Sequence, residues 1–351
     1  MDHPMHDADS PAASPAVTWD GALRELIMGF RATQLISVAA KLGLADQLRE
    51  GPQTPERLAE LVHAEPRALY RLLRALASLG VFAERSDGAF VLTPMAQALR
   101  TDAPGSLRSL AILYGEEWLW QAYGGMLHSV QTGEPAFTRA HGQPFYAYLE
   151  QHPTAAAHFQ DAMSGYSGLE GAAILEAYDF SDATSVVDVG GGEGALMSVL
   201  LQGYPQLSGV VFDLAPVVAG ARRLLTAAGV AARARTVAGD FLAAVPRGGD
   251  IYVLKSVLHN WDDAAAERIL RTCRRAMAGT ARLLVVERVI PPGNAPAEAK
   301  LFDINMLVVV GGQERTEPEY RALFRRAGFD LTRIIPTRSP MSVLEGLPVG
   351  A

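Results

Sequence analysis

The sequence predicts two modules of different class. The first is a mostly helical N-terminal half that includes a winged-helix pattern. The second is an α/β half built on a parallel, doubly wound sheet. Three observations carry this expectation. Apolar residues recur at helical spacing from Trp19 to about Tyr178, and from Ser181 onward strand-like apolar runs alternate with helical segments. In "VVDVGGGEGALMSVL", over 186–200, an apolar run delivers an acid, then four glycines in quick succession, then a helical stretch. The chain's 351 residues also exceed what one core usually holds.

Residues 1–18 are rich in Pro, Ala, Ser and Asp and read as a disordered tail; they lack the cationic start and apolar stretch of a signal peptide. "LRELIMGFRATQLISVAAKLG" is a helical pattern that stops at Gly43. Thr54 is placed to cap a helix with Pro55 at its first position. A second helix is expected from Glu65–Pro66 to Gly80. "VFAERSDGAFVLTP" then reads as a hairpin around Asp87–Gly88. Together these make a winged helix-turn-helix over an expected domain 19–110, with a helical linker over 111–180 and the α/β domain over 181–351.

A winged helix raises a DNA-binding regulator as one reading, and Arg67, Arg71 and Arg74 do share a helix face. The same module also serves as a dimerisation unit. A net charge of −7, a pI near 5.7 and a long, motif-bearing second half favour that use and no nucleic-acid partner. No apolar run reaches membrane-spanning length, so a cytoplasmic protein is expected. The single cysteine, Cys273, cannot form an internal disulfide; it falls in the helical "ERILRTCRRAM" and reads as a buried thiol.

In the second half "TSVVDVG", "LSGVVFDL", "ARARTVAGDF", "GDIYVLKSVLH" and "ARLLVVERVI" read as successive strands. A ligand belongs at their carboxyl ends. Gly190-x-Gly192-x-x-Ala195 fits a loose dinucleotide fingerprint, which keeps a nicotinamide enzyme open. Three acids argue otherwise. Asp188, just before the turn, is a poor neighbour for a pyrophosphate but suits a cation. Asp213 ends the next strand, where a carboxylate takes ribose hydroxyls. Asp240-Phe241 ends the third, offering an acceptor for an adenine amino group and a ring to stack on it.

"DVGGGEGAL", "VVFDL", "AGDF" and "VLKSVLHNWDD" resemble the successive motifs of class I S-adenosylmethionine-dependent O-methyltransferases. Within that class the chain is similar to the caffeate/hydroxyindole type, in its bacterial branch acting on aromatic natural products. The likeness runs from about Trp19 to Val343. It implies a Rossmann-like methyltransferase domain, a winged-helix dimerisation domain and hence a homodimer. It also implies S-adenosylmethionine as cofactor, S-adenosylhomocysteine as product and no metal. The implied cofactor site is Asp188, Gly190, Gly192, Asp213, Leu214, Asp240, Phe241, Lys255 and Ser256.

Methyl transfer to a phenol needs a base, because a phenol with a pKa of about 10 is mostly protonated at neutral pH. An imidazole suits that task. His259, just beyond the fourth strand, is the candidate, and by resemblance it occupies the family's base position. Glu287, ending the fifth strand, and Glu314, in "GGQERT", are its expected partners. "TEPE", from Thr316 to Glu319, supplies a separate capping box, which leaves Glu314 free for that role. Plant members usually carry an acid directly after the base; here the residue is Asn260. The resemblance places the small aromatic acceptor against Phe145, Phe159, Met163, Asn260, Asp303, Asn305 and Met306. The alternatives are other chemistry on the same fold, such as hydroxylation, cyclisation or N-methylation, and the DNA-binding regulator.

Overall fold

A computed structural model describes residues 19–350, and of residues 166–169 the backbone alone. The tail expected over 1–18 lies outside the described residues. The chain forms two compact units, one ending at Met95 and the other starting at Ala96.

In the first unit the long helical pattern is two helices, Trp19–Met28 and Phe30–Lys41, separated at Gly29. Gly43, at φ +65°, ends the second by adopting a left-handed conformation that only glycine takes easily. Thr54 Oγ1 accepts from the Arg57 N–H at 3.3 Å and caps Pro55–Val62. The Glu65 carboxylate accepts from the Arg67 and Ala68 N–H groups and caps Pro66–Ser78. β1 (Phe82–Glu84) and β2 (Phe90–Leu92) pair antiparallel across the Asp87–Gly88 turn. The helix, helix and hairpin read from the sequence are therefore present.

In the second unit six helices, Pro94–Gln97 apart, lead from Arg108–Tyr114 to the long Pro153–Ala177. An α/β sheet follows. Its parallel strands are β3 (Ser185–Val189), β4 (Ser208–Asp213), β5 (Ala234–Ala238), β6 (Ile251–Lys255) and β7 (Arg282–Glu287). All five match expected strands. The fifth is cut short, however: after Arg288 the chain leaves the sheet as β8 (Val289–Ile290), which pairs in parallel with β9 (Arg315–Thr316).

Two further strands, β10 (Phe329–Pro336) and β11 (Ser342–Pro348), complete the sheet in the order β10-β11-β7-β6-β3-β4-β5. β11 runs antiparallel to β7 on one side and to β10 on the other, so the sheet is mixed and not wholly parallel as expected. A bulge between Leu331 and Arg333 and the nearby prolines blur their alternation in the sequence.

The chain runs outward from β3 to β5 and returns to β6 on β3's other side, which makes a switch point between these strands. Buried side chains cover both faces of the sheet: Val187, Tyr252, Leu254 and Leu283 on one, Val186, Val211, Ile251 and Val253 on the other. The carboxyl edge at the switch point is where Asp188, Lys255 and His259 arrive. No helix among the described residues is long and apolar enough to cross a membrane.

Candidate active site

The glycine turn follows β3. Gly190, Gly192 and Gly194 have φ of +73°, +59° and +81°. Two of the turn's four glycines make room for protein. A Cβ on Gly190 would lie 2.7 Å from Val257, and one on Gly191 would lie 2.7 Å from the Asp188 carboxylate. The Gly190 N–H is already bonded to the Phe212 carbonyl at 2.8 Å. Gly192 alone of the three central glycines faces open space. Close approach of a ligand to backbone therefore falls at Gly192, while Gly190 and Gly191 hold the turn against its neighbours.

Asp188 is 1% exposed and its Oδ2 has no hydrogen-bond partner among the described residues. Burial pushes its carboxyl up to about 7, against the lowering effect of Lys255 and with a further rise from Asp213. Lys255 is paired at 2.7 Å with Glu170, a buried acid on the Pro153–Ala177 helix. No sequence pattern singles out Glu170, which lies 85 residues earlier in a helix of mostly small and apolar residues.

Asp213 Oδ2 accepts from the Gly192 N–H at 2.9 Å and Oδ1 from the Leu214 N–H at 2.7 Å. Each oxygen keeps a lone pair for another donor. Burial raises this carboxyl, and the two backbone donors lower it. Asp240 is exposed, with Oδ1 accepting from the Leu242 N–H, and the half-buried Phe241 packs edge-on against Trp261. Ser256 adopts φ +55°, unusual for a residue with a side chain, as β6 gives way to the turn that carries the base.

That turn is a short 3-10 helix, Leu258–Asn260. His259 is 7% exposed, and its Nδ1 lies 2.9 Å from Glu314 Oε1 and 3.5 Å from Glu287 Oε2. Glu287 and Glu314 are themselves buried. Glu287 Oε1 accepts from the Val257 and Leu258 N–H groups at 2.9 and 2.8 Å, so this carboxylate caps the turn as well as facing the ring. Glu314's backbone N–H donates to Asp303 Oδ1 at 2.8 Å.

Burial alone would push the imidazole down, but the Glu287 charge and the Glu314 hydrogen bond outweigh it, and the net shift is upward. Burial raises the Glu287 carboxyl. With Nδ1–H donating to Glu314, the Nε2 lone pair is left for an outside proton.

Two features absent from the sequence reading hold this arrangement. The β8–β9 pairing brings the segment after Glu287 beside the segment after Glu314. Arg315, 1% exposed, donates to the Leu258 and Trp261 carbonyls at 3.1 and 2.9 Å and to Asp263 at 3.0 Å, latching the turn from below. The His259, Glu287 and Glu314 ligand atoms lie within 4.8 Å of one another, a set that also suits a divalent cation. In the structure they are joined to each other by the bonds just described.

The expected acceptor residues divide by role. Asn260 accepts from the Tyr146 hydroxyl at 3.2 Å, and Asn305 accepts from the Tyr123 hydroxyl at 2.8 Å. Phe145, Phe159 and Met163 belong to a packed aromatic cluster with Trp118 and Phe137, and Met306 is buried where the helix Glu298–Asn305 passes into a π turn. Asp303 is spent on Glu314. Tyr146 and Tyr123, whose hydroxyls burial pushes up to about 12, are the polar groups the sequence reading missed. "PFYAYL" contained Tyr146, but nothing in the pattern chose it over Phe145.

An acid-lined glycine turn beside a buried imidazole held by two carboxylates, on the carboxyl edge of this sheet, defines an S-adenosylmethionine-dependent methyltransferase. The unpartnered Asp188 oxygen and the open backbone at Gly192 fit a cationic cofactor that carries a ribose. The chain belongs to the O-methyltransferase family. The family's O-methyltransferase domain matches residues 123–330 and its dimerisation domain residues 24–102.

The phenazine O-methyltransferase PhzM of Lysobacter antibioticus is 43% identical over 334 residues, covering 95% of this chain and 98% of that protein. The phenazine-1-carboxylate N-methyltransferase of Pseudomonas aeruginosa is 35% identical over 313 residues, covering 89% and 92%. Among solved structures, CalO1, a methyltransferase in calicheamicin biosynthesis in its S-adenosylhomocysteine-bound form, superposes with a TM-score of 0.84 at 38% identity, covering 93% of this chain and 97% of that one.

Gly312 tests the packing of the base turn. A Cβ there would collide with the His259 carbonyl and lie 2.8 Å from Asn260 backbone atoms. Gly312→Ala should cost about 1–3 kcal/mol of stability, as overpacking does, and lower turnover while leaving S-adenosylhomocysteine affinity nearly intact. Thermal melts, calorimetry and steady-state rates check this; an unchanged turnover would show that the turn tolerates displacement.

Proposed function

We propose that this O-methyltransferase methylates a phenolic hydroxyl on an aromatic secondary metabolite, with His259 as general base. The observation that carries the reading is the His259–Glu314 bond with Glu287 behind it. S-adenosylmethionine, when bound, supplies a methyl group already activated on a sulfonium. Asp188, Gly192 and Asp213 would hold it, with Leu214, Asp240, Phe241, Lys255 and Ser256 lining the same edge. His259 Nε2 takes the hydroxyl proton. Glu314 fixes the ring's tautomer, and both carboxylates balance the charge the ring acquires. The PhzM relative and the family's O-methyltransferase domain support oxygen as the acceptor atom; the retained base is what an amine acceptor would need least.

His259→Ala should lose about 10²–10⁴-fold in turnover, the usual worth of general-base catalysis. The raised imidazole pKa places the rise of wild-type turnover with pH above about 6.5, since the base works only when neutral. Glu314→Gln removes one source of that upward shift, so its profile should move to lower pH with a smaller loss than His259→Ala. Prior dialysis against EDTA should change none of these rates. Full activity in His259→Ala at neutral pH, or loss in EDTA restored by one divalent ion, would reassign the triad.

Cofactor binding has its own test. Asp213→Ala should weaken S-adenosylhomocysteine by roughly 1.5–3 kcal/mol in calorimetry, the scale of lost hydrogen bonds to a charged group. S-adenosylmethionine affinity should rise as pH passes through about 7, because the Asp188 carboxyl must ionise to face a cation. Binding of NAD in place of either ligand would contradict the assignment.

We also propose a homodimer. The N-terminal helices leave Trp19 93% and Leu26 79% exposed, with Leu23, Ile27 and Phe30 beside them, within or next to the family's dimerisation segment. Such apolar exposure calls for a partner surface. Light scattering should give twice the chain mass at micromolar concentration; a stable monomer would contradict it.

A further inference from the structure

Arg288 immediately follows Glu287, where the chain leaves β7. It is 3% exposed, and its Nε has no hydrogen-bond partner among the described residues. Its Nη2 pairs with Glu298 Oε1 at 3.2 Å, and the Glu298 side chain is 50% exposed. The guanidinium carbon stands 4.0 Å from the centre of the Phe302 ring. That same ring lies nearly parallel to the His259 imidazole, 6.0 Å between centroids and 24° between planes. One aromatic side chain therefore touches both the base and a buried cation, and the cation is close enough to lower the imidazole's pKa.

A guanidinium is expensive to bury unless its fork of donors is used. Nε and Nη2 share one edge of the fork, the edge that grips a carboxylate with two parallel hydrogen bonds. Here Nη2 has only a partner open to solvent and Nε has none. A purely structural role, stacking on Phe302, would leave that edge idle and could be filled by an uncharged side chain. The surroundings also matter. Glu287 and Glu314 make the base's neighbourhood negative, so an anionic acceptor would be repelled unless a cation stood beside it.

We infer that Arg288 anchors a carboxylate carried by the aromatic acceptor, which makes the acceptor class a hydroxylated aromatic acid. The inference rests on the methyl-transfer reading above and adds the substrate's second functional group. Arg288 acts on binding and register: it fixes which hydroxyl of the ring meets His259 Nε2. Glu298 holds Nη2 until the acceptor's carboxylate takes the Nε–Nη2 edge.

The test is a panel of hydroxybenzoates and hydroxynaphthoates, each paired with its methyl ester, assayed with S-adenosylmethionine. For the best acceptor the wild-type enzyme should show kcat/KM at least about 10-fold higher on the acid than on the ester, the worth of a charge-assisted pair. Arg288→Gln should bring that ratio close to one, chiefly by raising KM for the acid. Glu298→Gln should lower KM for the acid by releasing Nη2. Calorimetric binding of the same acid to the S-adenosylhomocysteine complex should weaken in Arg288→Gln, while S-adenosylhomocysteine itself binds as before, which shows that the variant is folded. Equal use of acid and ester by the wild type, or an acid-to-ester ratio unchanged in Arg288→Gln, overturns the inference and leaves the methyl-transfer reading standing. Failure to methylate any phenol, acid or neutral, overturns that reading instead.

Discussion

Three ionisable groups, His259, Glu287 and Glu314, are buried in contact, and much of the second unit is arranged to make that tolerable. Two carboxylates this close would repel each other strongly in a low-dielectric interior. The imidazole between them and the backbone donors around them relieve the repulsion. Glu287 spends one oxygen on the N–H groups that open the 3-10 turn, and Glu314 is held through its own N–H by Asp303. The turn is fixed in addition by Arg315 and by the Gln313 N–H bond to the His259 carbonyl at 2.8 Å. Removing one member of such a buried set commonly costs about 3–5 kcal/mol, because the remaining charge has no compensation. The base therefore cannot drift: its tautomer and orientation are consequences of the same contacts that keep the fold intact.

The cofactor edge obeys a related constraint. Asp188 is delivered by a buried strand to a place nearly closed to solvent, with one oxygen unpartnered among the described residues. Its charge is costly there, which is why its carboxyl is pushed up to about 7. A bound cation is the natural compensation. The Lys255–Glu170 pair keeps the neighbouring lysine engaged with its own acid. The glycine turn completes the edge by geometry more than by chemistry: Gly190 and Gly191 let it fold tightly onto Val257 and Asp188, and Gly192 presents backbone to the open side.

How much of this was legible depended on whether the signal was local. The five parallel strands, the winged helix with its Thr54 cap and its second helix starting at Glu65–Pro66, and the hairpin turn all follow from short patterns, and each is present. His259 was legible because it sits one turn past a strand that ends at the switch point. Glu287 and Glu314 were legible only through the resemblance, since 27 residues separate them and the β8–β9 pairing that joins them is two residues long. Arg315, Glu170 and Arg288 gave no pattern at all: each is a buried charge, and the partners of Arg315 and Glu170 lie far along the chain. β10 and β11 were missed because a bulge and prolines interrupt their alternation.

The central claim is that His259 waits with its proton on Nδ1, turned to Glu314, and its lone pair on Nε2. Nitrogen-15 NMR of the histidine-labelled enzyme, with His259 assigned by comparison with His259→Gln, reads this directly. The account predicts a neutral ring protonated at Nδ1 at alkaline pH, which gains its second proton at Nε2 with a midpoint above about 6.5. A neutral ring carrying its proton on Nε2 would contradict it, because that ring could not accept a proton from an acceptor hydroxyl.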